Sequence, residues 1–130
     1  MSDILIDTSV WIDYFRDKPV AGLLAELIDN DRIATNDLIL AELLPSIIQR
    51  KERKLGNLLL SVRNLSLSID WFRIIEMQTT NLTRGFNDIG IPDLIIAQNA
   101  IDNSVVLFEN DKHFLAMKDS FGLELFSWQR

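Results

Sequence analysis

The spacing of apolar and polar residues changes several times along the chain, and each change marks an element. Ile4, Leu5 and Ile6 form an unbroken apolar run, the pattern of a strand buried on both faces, and Asp7 follows at once. Asp7, Thr8 and Ser9 are helix-start residues, after which Val10, Trp11, Tyr14 and Phe15 recur near helical spacing. Asp17-Lys18-Pro19 reads as a loop, and Leu23, Leu24, Leu27 and Ile28 predict a second helix closed by Asn30-Asp31. Arg32 to Thr35 is a short strand candidate, and Asn36-Asp37 caps a helix from Leu38 to about Glu52, which Pro45 should kink or divide. A further amphipathic helix is predicted from Lys54 to Leu65 through Leu55, Leu58, Leu59 and Val62, with Gly56 a mild weakness. Leu65-Ser66-Leu67-Ser68-Ile69 then alternates strictly, the signature of a strand with one exposed face at a sheet edge. Asp70 caps a helix from Trp71 to about Arg84, the stretch 85–90 is turn-rich, and Pro92 opens the helix that carries Leu94, Ile95, Ile96, Ala97, Ala100 and Ile101. Val105 to Phe108 is a second doubly buried strand, Asp111 to Lys118 a short helix, and Leu123 to Phe126 a last strand.

Strands alternating with helices predict an α/β three-layer sandwich: a mostly parallel central sheet of four to five strands, flanked by helices and joined by right-handed crossovers. Open sheets of this kind carry their chemistry outside the carboxyl ends of the strands, and both of the strongest strands, 4–6 and 105–108, are followed by acids. The 130 residues suit one domain, 1–130, and 48% hydrophobic with 25% charged residues is the balance of a folded protein. No apolar run is long enough to span a bilayer, and Asp3 and Asp7 do not suit a secretory leader, so the expected location is the cytoplasm. The lack of Cys excludes disulfides, thiolate metal sites and Cys nucleophiles. A net charge of -6 argues against broad, nonspecific nucleic-acid binding. It remains compatible with a nuclease whose carboxylates hold divalent cations, and equally with a basic partner.

Four acids lie where the local pattern could bring them together: Asp7 after the first strand, Glu42 one turn into the third helix, Asp93 in the first turn of the Pro92 helix, and Asp111 after the 105–108 strand. Each also has a plainer role. Asp7 and Asp111 could cap helices, Asp93 could complement a positive helix end, and Glu42 could be solvated. For Glu42 the neighbours Leu38, Ile39, Ala41, Leu43 and Leu44 suggest an apolar setting, in which an ion needs a partner. Carboxylates converging at a sheet edge repel one another unless a cation lies among them, and an oxygen-only cluster suits Mg²⁺ or Mn²⁺. A single histidine, His113, excludes a histidine-rich zinc site, and the chain has no Gly-rich phosphate loop, nucleophile elbow or dinucleotide fingerprint. The reaction class left is metal-assisted hydrolysis of a phosphodiester.

The stretch from Asp7 to Arg16, Asp-Thr-Ser-Val-Trp-Ile-Asp-Tyr-Phe-Arg, resembles the opening motif of PIN-domain ribonucleases, in particular VapC-type toxins of bacterial and archaeal toxin–antitoxin systems. Leu40 to Leu44 resembles their second motif, Ile91 to Ala97 their third, and Leu107 to Phe114 their fourth. Each motif is short; their order and spacing span essentially the whole chain. The resemblance implies a Mg²⁺- or Mn²⁺-dependent endoribonuclease with Asp7, Glu42, Asp93 and Asp111 as its catalytic, metal-holding acids. It also implies an RNA substrate, a homodimer, and inhibition by a cognate antitoxin that approaches the active site. One position departs from the pattern: Glu109 stands where the family often has Ser or Thr. Glu109 is thus either a fifth acid at the site or turned away from it.

Thr8 could present its hydroxyl to phosphate or metal water, or belong to the cap, to which Ser9 is assigned. Arg16 is a candidate contact for phosphate or antitoxin, or an ordinary solvated arginine. Arg50-Lys51-Glu52-Arg53-Lys54 is the most basic stretch, either an RNA-backbone track or a solvated bend between helices. Trp11, Trp71 and Trp128 read as core or interface aromatics, and the strips 23–28 and 55–62 as core or interface. Two other functions suit a chain of this size and class. One is a signalling receiver that accepts phosphate on a strand-end aspartate beside Mg²⁺, although it would want a pair of adjacent acids after the first strand. The other is a catalytically silent PIN-like binding protein, hinted at by Glu109.

Overall fold

The computed structural model describes residues 3–128. Its elements, in chain order, are β1 (Ile4–Ile6), α1 (Thr8–Phe15), α2 (Val20–Asp29), β2 (Ile33–Thr35), α3 (Asp37–Gln49), α4 (Arg53–Ser61), β3 (Arg63–Asn64), α5 (Trp71–Thr83), α6 (Ile91–Asp102), β4 (Val106–Phe108) and α7 (Lys112–Phe121). The strands form one sheet in the order β3-β2-β1-β4, every pairing parallel. Beyond β4, Leu125 forms a single parallel bridge to Leu107, with Phe126 N–H donating to the Leu107 carbonyl at 2.8 Å. The expected last strand is therefore reduced to one bridging residue.

β1 is central because nothing about it tolerates water: Ile4, Leu5 and Ile6 are all buried, paired to β2 through Ile4–Ile33 and to β4 through Ile6–Phe108. α1 packs on α2 and on α3, and α3 on α4, while α5, α6 and α7 form a second mutually packed group, giving the expected layers around the sheet. Core side chains come from every layer: Trp11 and Leu24, Ile39 and Leu59, Ile74, Leu94 and Ile96, and Phe114 and Met117. Phe108 stacks on Phe126, ring centroids 4.7 Å apart, and Trp128 packs against the same ring at 5.5 Å. α7 stops at Gly122, whose φ of +72° is a left-handed conformation that L side chains rarely adopt, and the chain then turns back to bring Leu125 to the sheet.

Three expectations need correction. Pro45 does not divide its helix, because α3 runs unbroken through it from Asp37 to Gln49. Pro45 and Ala41 both lie on the exposed side, where water can satisfy the carbonyl left without a donor. The edge strand is not 65–69 but β3, at Arg63–Asn64, and the preceding helix ends earlier, at Ser61. The last ladder bond is Leu65 N–H to the Thr35 carbonyl, 2.8 Å. After it, side chains of α6 take over the backbone groups: Asn99 Nδ2 donates to the Ser66 carbonyl at 3.0 Å, and Asp70 N–H donates to Gln98 Oε1 at 3.2 Å. Finally, of the core and interface readings of Trp71 only the core one is overturned: it is 56% exposed on α5 beside Phe72 and Ile75, while Trp11 is fully buried.

Gly56 lies inside α4, and a methyl group added to it would meet the Ile47 Cγ2 at 3.6 Å, ordinary van der Waals contact. Gly56→Ala is therefore expected to raise stability by about 0.5–1 kcal/mol, checked by urea unfolding, because it removes backbone freedom from the unfolded chain without crowding the fold.

Candidate active site

The topology fixes where a site can form. From β1 the chain builds outward through β2 to β3, then returns to place β4 on the other side of β1, so the crevice outside the carboxyl ends of β1 and β4 is the switch point. Asp7 leaves β1 there and Glu109 to Asp111 leave β4 there. The strand ends are zipped by the Asp7 N–H, which donates to the Phe108 carbonyl at 2.9 Å. α3, which follows β2, brings Glu42, and α6 brings Asp93 in its first turn.

Asp7 is only 4% exposed. Its Oδ2 accepts from the Ser9 N–H at 3.1 Å and from the Ser9 hydroxyl at 2.5 Å. Ser9 takes part in the cap as the donor to Asp7, not as the capping residue itself. Asp7 caps α1, and the Ser9 hydroxyl in turn accepts the Asn110 N–H at 3.0 Å, tying the first acid to the loop after β4. Asn110 Nδ2 donates to Asp13 Oδ2 at 2.5 Å, a second tie between that loop and α1. Burial pushes the Asp7 carboxyl up to about 6; the two Ser9 hydrogen bonds pull it back, and the negative charges of Asp93 and Glu42 raise it further.

Glu42 is held by Thr8, whose hydroxyl donates to Glu42 Oε1 at 2.8 Å. Its side chain is exposed, contrary to the apolar setting expected from its neighbours in sequence. Leu43 and Leu40 are buried on the other side of α3, and helical spacing turns Glu42 outward toward Thr8. Asp93 is raised above the usual carboxylate range by burial, with Asp111 adding to the shift and the His113 ring opposing it. Asp111 caps α7 through the His113 N–H, 3.0 Å from its Oδ1. The capping role and the place at the crevice are thus combined in one residue, as they are in Asp7.

The residue missed from sequence is His113. Its Nδ1 lies 3.0 Å from Asp93 Oδ2 and 3.4 Å from Asp111 Oδ1, and its Nε2 lies 3.5 Å from Asp88 Oδ2. Burial alone would lower the ring's pKa, but the hydrogen bond to Asp93, the charges of Asp111 and Asp93, and Asp88 together hold it above its ordinary value. The signal was present two positions after Asp111, yet reading it requires knowing that α7 packs on α6.

Glu109 is fully buried and turns back into its own loop, where its Oε2 accepts the Asp111 N–H at 2.9 Å. Its carbonyl accepts the Trp128 indole N–H at 3.2 Å. Its visible work is to shape the turn that presents Asp111. Arg16 ends α1, about 13 Å along the helix from Asp7, and is exposed. The basic stretch 50–54 is exposed and covers the bend between α3 and α4 and the first two residues of α4, beginning about 12 Å along α3 from Glu42. Neither is brought to the acids.

The family model for the PIN domain matches residues 4–119. Among solved structures, VapBC2 from Rickettsia felis bound to a DNA fragment from their promoter is similar at 24% identity and a TM-score of 0.73, with 97% of this chain and 98% of that chain covered. VapBC-1 from nontypeable Haemophilus influenzae is similar at 23% identity and a TM-score of 0.72, with 98% of each chain covered. FitAcB from Neisseria gonorrhoeae is similar at 24% identity and a TM-score of 0.71, with 95% of this chain and 96% of that chain covered. At such identities the likeness is one of fold. A search of curated protein sequences finds no significant match.

Proposed function

The chain belongs to the PIN domain family, and from that premise we propose that it is a Mg²⁺- or Mn²⁺-dependent endoribonuclease, the toxin of a toxin–antitoxin pair. The observation that carries the reading is the gathering of Asp7, Glu42, Asp93 and Asp111 at the switch point of the sheet, with Asp7 and Asp93 both raised by burial and by neighbouring acids. Such a cluster is costly on its own and becomes favourable around a cation. The donors fit a hard divalent ion, which Asp7, Asp93 and Asp111 would hold, with Glu42 directly or through water. When bound, the ion supplies a route to hydroxide at neutral pH and neutralises charge on a phosphodiester.

The chain's own groups hold this arrangement ready. Ser9 and the Asn110 amide fix the rotamer of Asp7, Thr8 fixes Glu42, and the Glu109 turn aims Asp111. Thr8 is thereby a residue that positions an acid, with its hydroxyl at the crevice. RNA as the substrate follows from the resemblance of the four motifs to ribonucleases.

An antitoxin partner is supported by the solved relatives, which include toxin–antitoxin complexes, and a homodimer is expected of the same class. Two exposed apolar surfaces are available for such contacts: the α5 face of Trp71, Phe72 and Ile75, and the groove between α3 and α4 lined by Leu44, Ile48 and Leu60. No helix among the described residues is long and apolar enough to cross a membrane, and a toxin of this kind would act in the cytoplasm. With the family shown, the signalling-receiver alternative has no support of its own.

The test is cleavage of a structured RNA mixture by antitoxin-free protein with Mg²⁺ or Mn²⁺ and with EDTA. Cutting is expected with metal, to stop with EDTA, and to return with excess metal. Folded protein that binds Mn²⁺ but cuts no RNA would transfer the reading to a binding-only PIN protein.

A further inference from the structure

We propose that His113 is a ligand of the cation held by Asp93 and Asp111, so that the centre is a mixed nitrogen and oxygen site and not one of carboxylates alone. The proposal rests on the metal-nuclease reading above and adds a residue to it.

Three observations carry it. The first is spacing. Nδ1 of His113 lies 3.0 Å from Asp93 Oδ2 and 3.4 Å from Asp111 Oδ1, and one ligand atom from each of the three residues falls within 4.8 Å of the others. Adjacent ligands on an octahedral ion with bonds of about 2.1 Å stand about 3.0 Å apart, and the two distances from Nδ1 are close to that spacing. The second is the far side of the ring. Nε2 faces Asp88 Oδ2 at 3.5 Å, and a carboxylate behind the distal nitrogen is the usual device that orients a metal-binding imidazole and raises its basicity. The third is anchoring. The His113 backbone N–H bonds to Asp111 Oδ1, so the ring is placed by one of the acids it would share the ion with.

An imidazole among carboxylates strengthens binding of first-row transition ions relative to Mg²⁺. The site is therefore tuned for ions such as Mn²⁺, with Mg²⁺ accepted less well. This preference is a property of His113 and separate from the identity of the RNA.

The chain has one histidine, so a histidine-selective ¹⁵N label reports on this ring alone. Pulsed electron paramagnetic resonance of the Mn²⁺-loaded, labelled full chain is expected to show the hyperfine coupling of a directly bound nitrogen. In His113→Gln that coupling disappears while Mn²⁺ still binds, at least about tenfold more weakly by calorimetry, and Mg²⁺ affinity changes less. Asp88→Asn is expected to keep the coupling and weaken Mn²⁺ binding by a smaller factor. Mn²⁺ bound without nitrogen coupling would overturn the proposal and leave the nuclease reading standing, with His113 acting only as a countercharge between the acids. Folded protein that binds no Mn²⁺ would overturn both.

Discussion

Asp93→Asn is expected to reduce metal-dependent RNA cleavage by at least about a hundredfold while the protein stays folded, since loss even of groups behind the ligands in metal sites costs about 10–100-fold. Asn has the same size and still presents an oxygen, but it lacks the charge that attracts the cation. The fold does not depend on that charge. Leu94 to Ala100, the residues after it in α6, are buried, and they hold the helix in place whatever stands at its first turn. A suitable control is Asp102→Asn at the other end of the same helix, about 13 Å from Asp93, where the acid pairs with Arg73 on the surface. The control should cut RNA like the parent, because an exposed ion pair is worth about 0–1 kcal/mol to the fold and nothing to the crevice. Cleavage by folded Asp93→Asn within about threefold of the parent would remove Asp93 from the site.

How much of this could be read from the sequence depended on whether a feature was local. β1 and β4 were legible because a parallel strand covered on both faces needs an unbroken apolar run, and Ile4 to Ile6 and Val106 to Phe108 supply one. The acids after them were legible for the same reason: they mark where the run stops and the crevice begins. The segment 65–69 misled because its alternation is real but is an alternation of burial. Leu65 is buried and Leu67 and Ile69 are half-buried, with Ser66 and Ser68 exposed, yet Gln98 and Asn99 supply partners in place of a neighbouring strand. Glu42 misled in the opposite sense. Its apolar neighbours in sequence occupy the other side of α3, and only the contact with Thr8, 34 residues away, shows its direction. The His113 cluster needs three segments at once, the loop with Asp88, the start of α6 and the start of α7, and no local pattern encodes that meeting.

Asp7→Asn is expected to do the reverse of a damaging mutation when metal is chelated: stability should rise by about 1–2 kcal/mol above pH 7, and the gain should fade to nothing below about pH 4. The sign follows from the direction of the shift. Asp7 is raised from the usual carboxylate value of 3.8 to about 6, so the folded state holds its proton more tightly than the unfolded chain does. The stability contributed by that proton is complete below the unfolded value and is lost as pH rises through the folded one. Above pH 6 the parent protein carries an ionised, buried carboxylate beside Asp93 and Glu42, and a carboxyl held at about 6 makes that charge cost about 3 kcal/mol. Asn removes the charge and keeps an oxygen for the Ser9 N–H and hydroxyl, so most of the penalty disappears while the hydrogen bonds remain. The comparison also separates two roles for Asp7. Asn and Asp are about equally good helix caps, so a residue present only to cap α1 would give a difference near zero at every pH. Added Mn²⁺ should reverse the order, because the ionised parent then gains a ligand that the variant binds poorly, and binding to the native state alone stabilises it. Thermal melts of both proteins from pH 4 to pH 8, with EDTA and with Mn²⁺, measure all of this. A difference that stays flat with pH, and that Mn²⁺ does not invert, would make Asp7 a cap and take away the first acid of the centre.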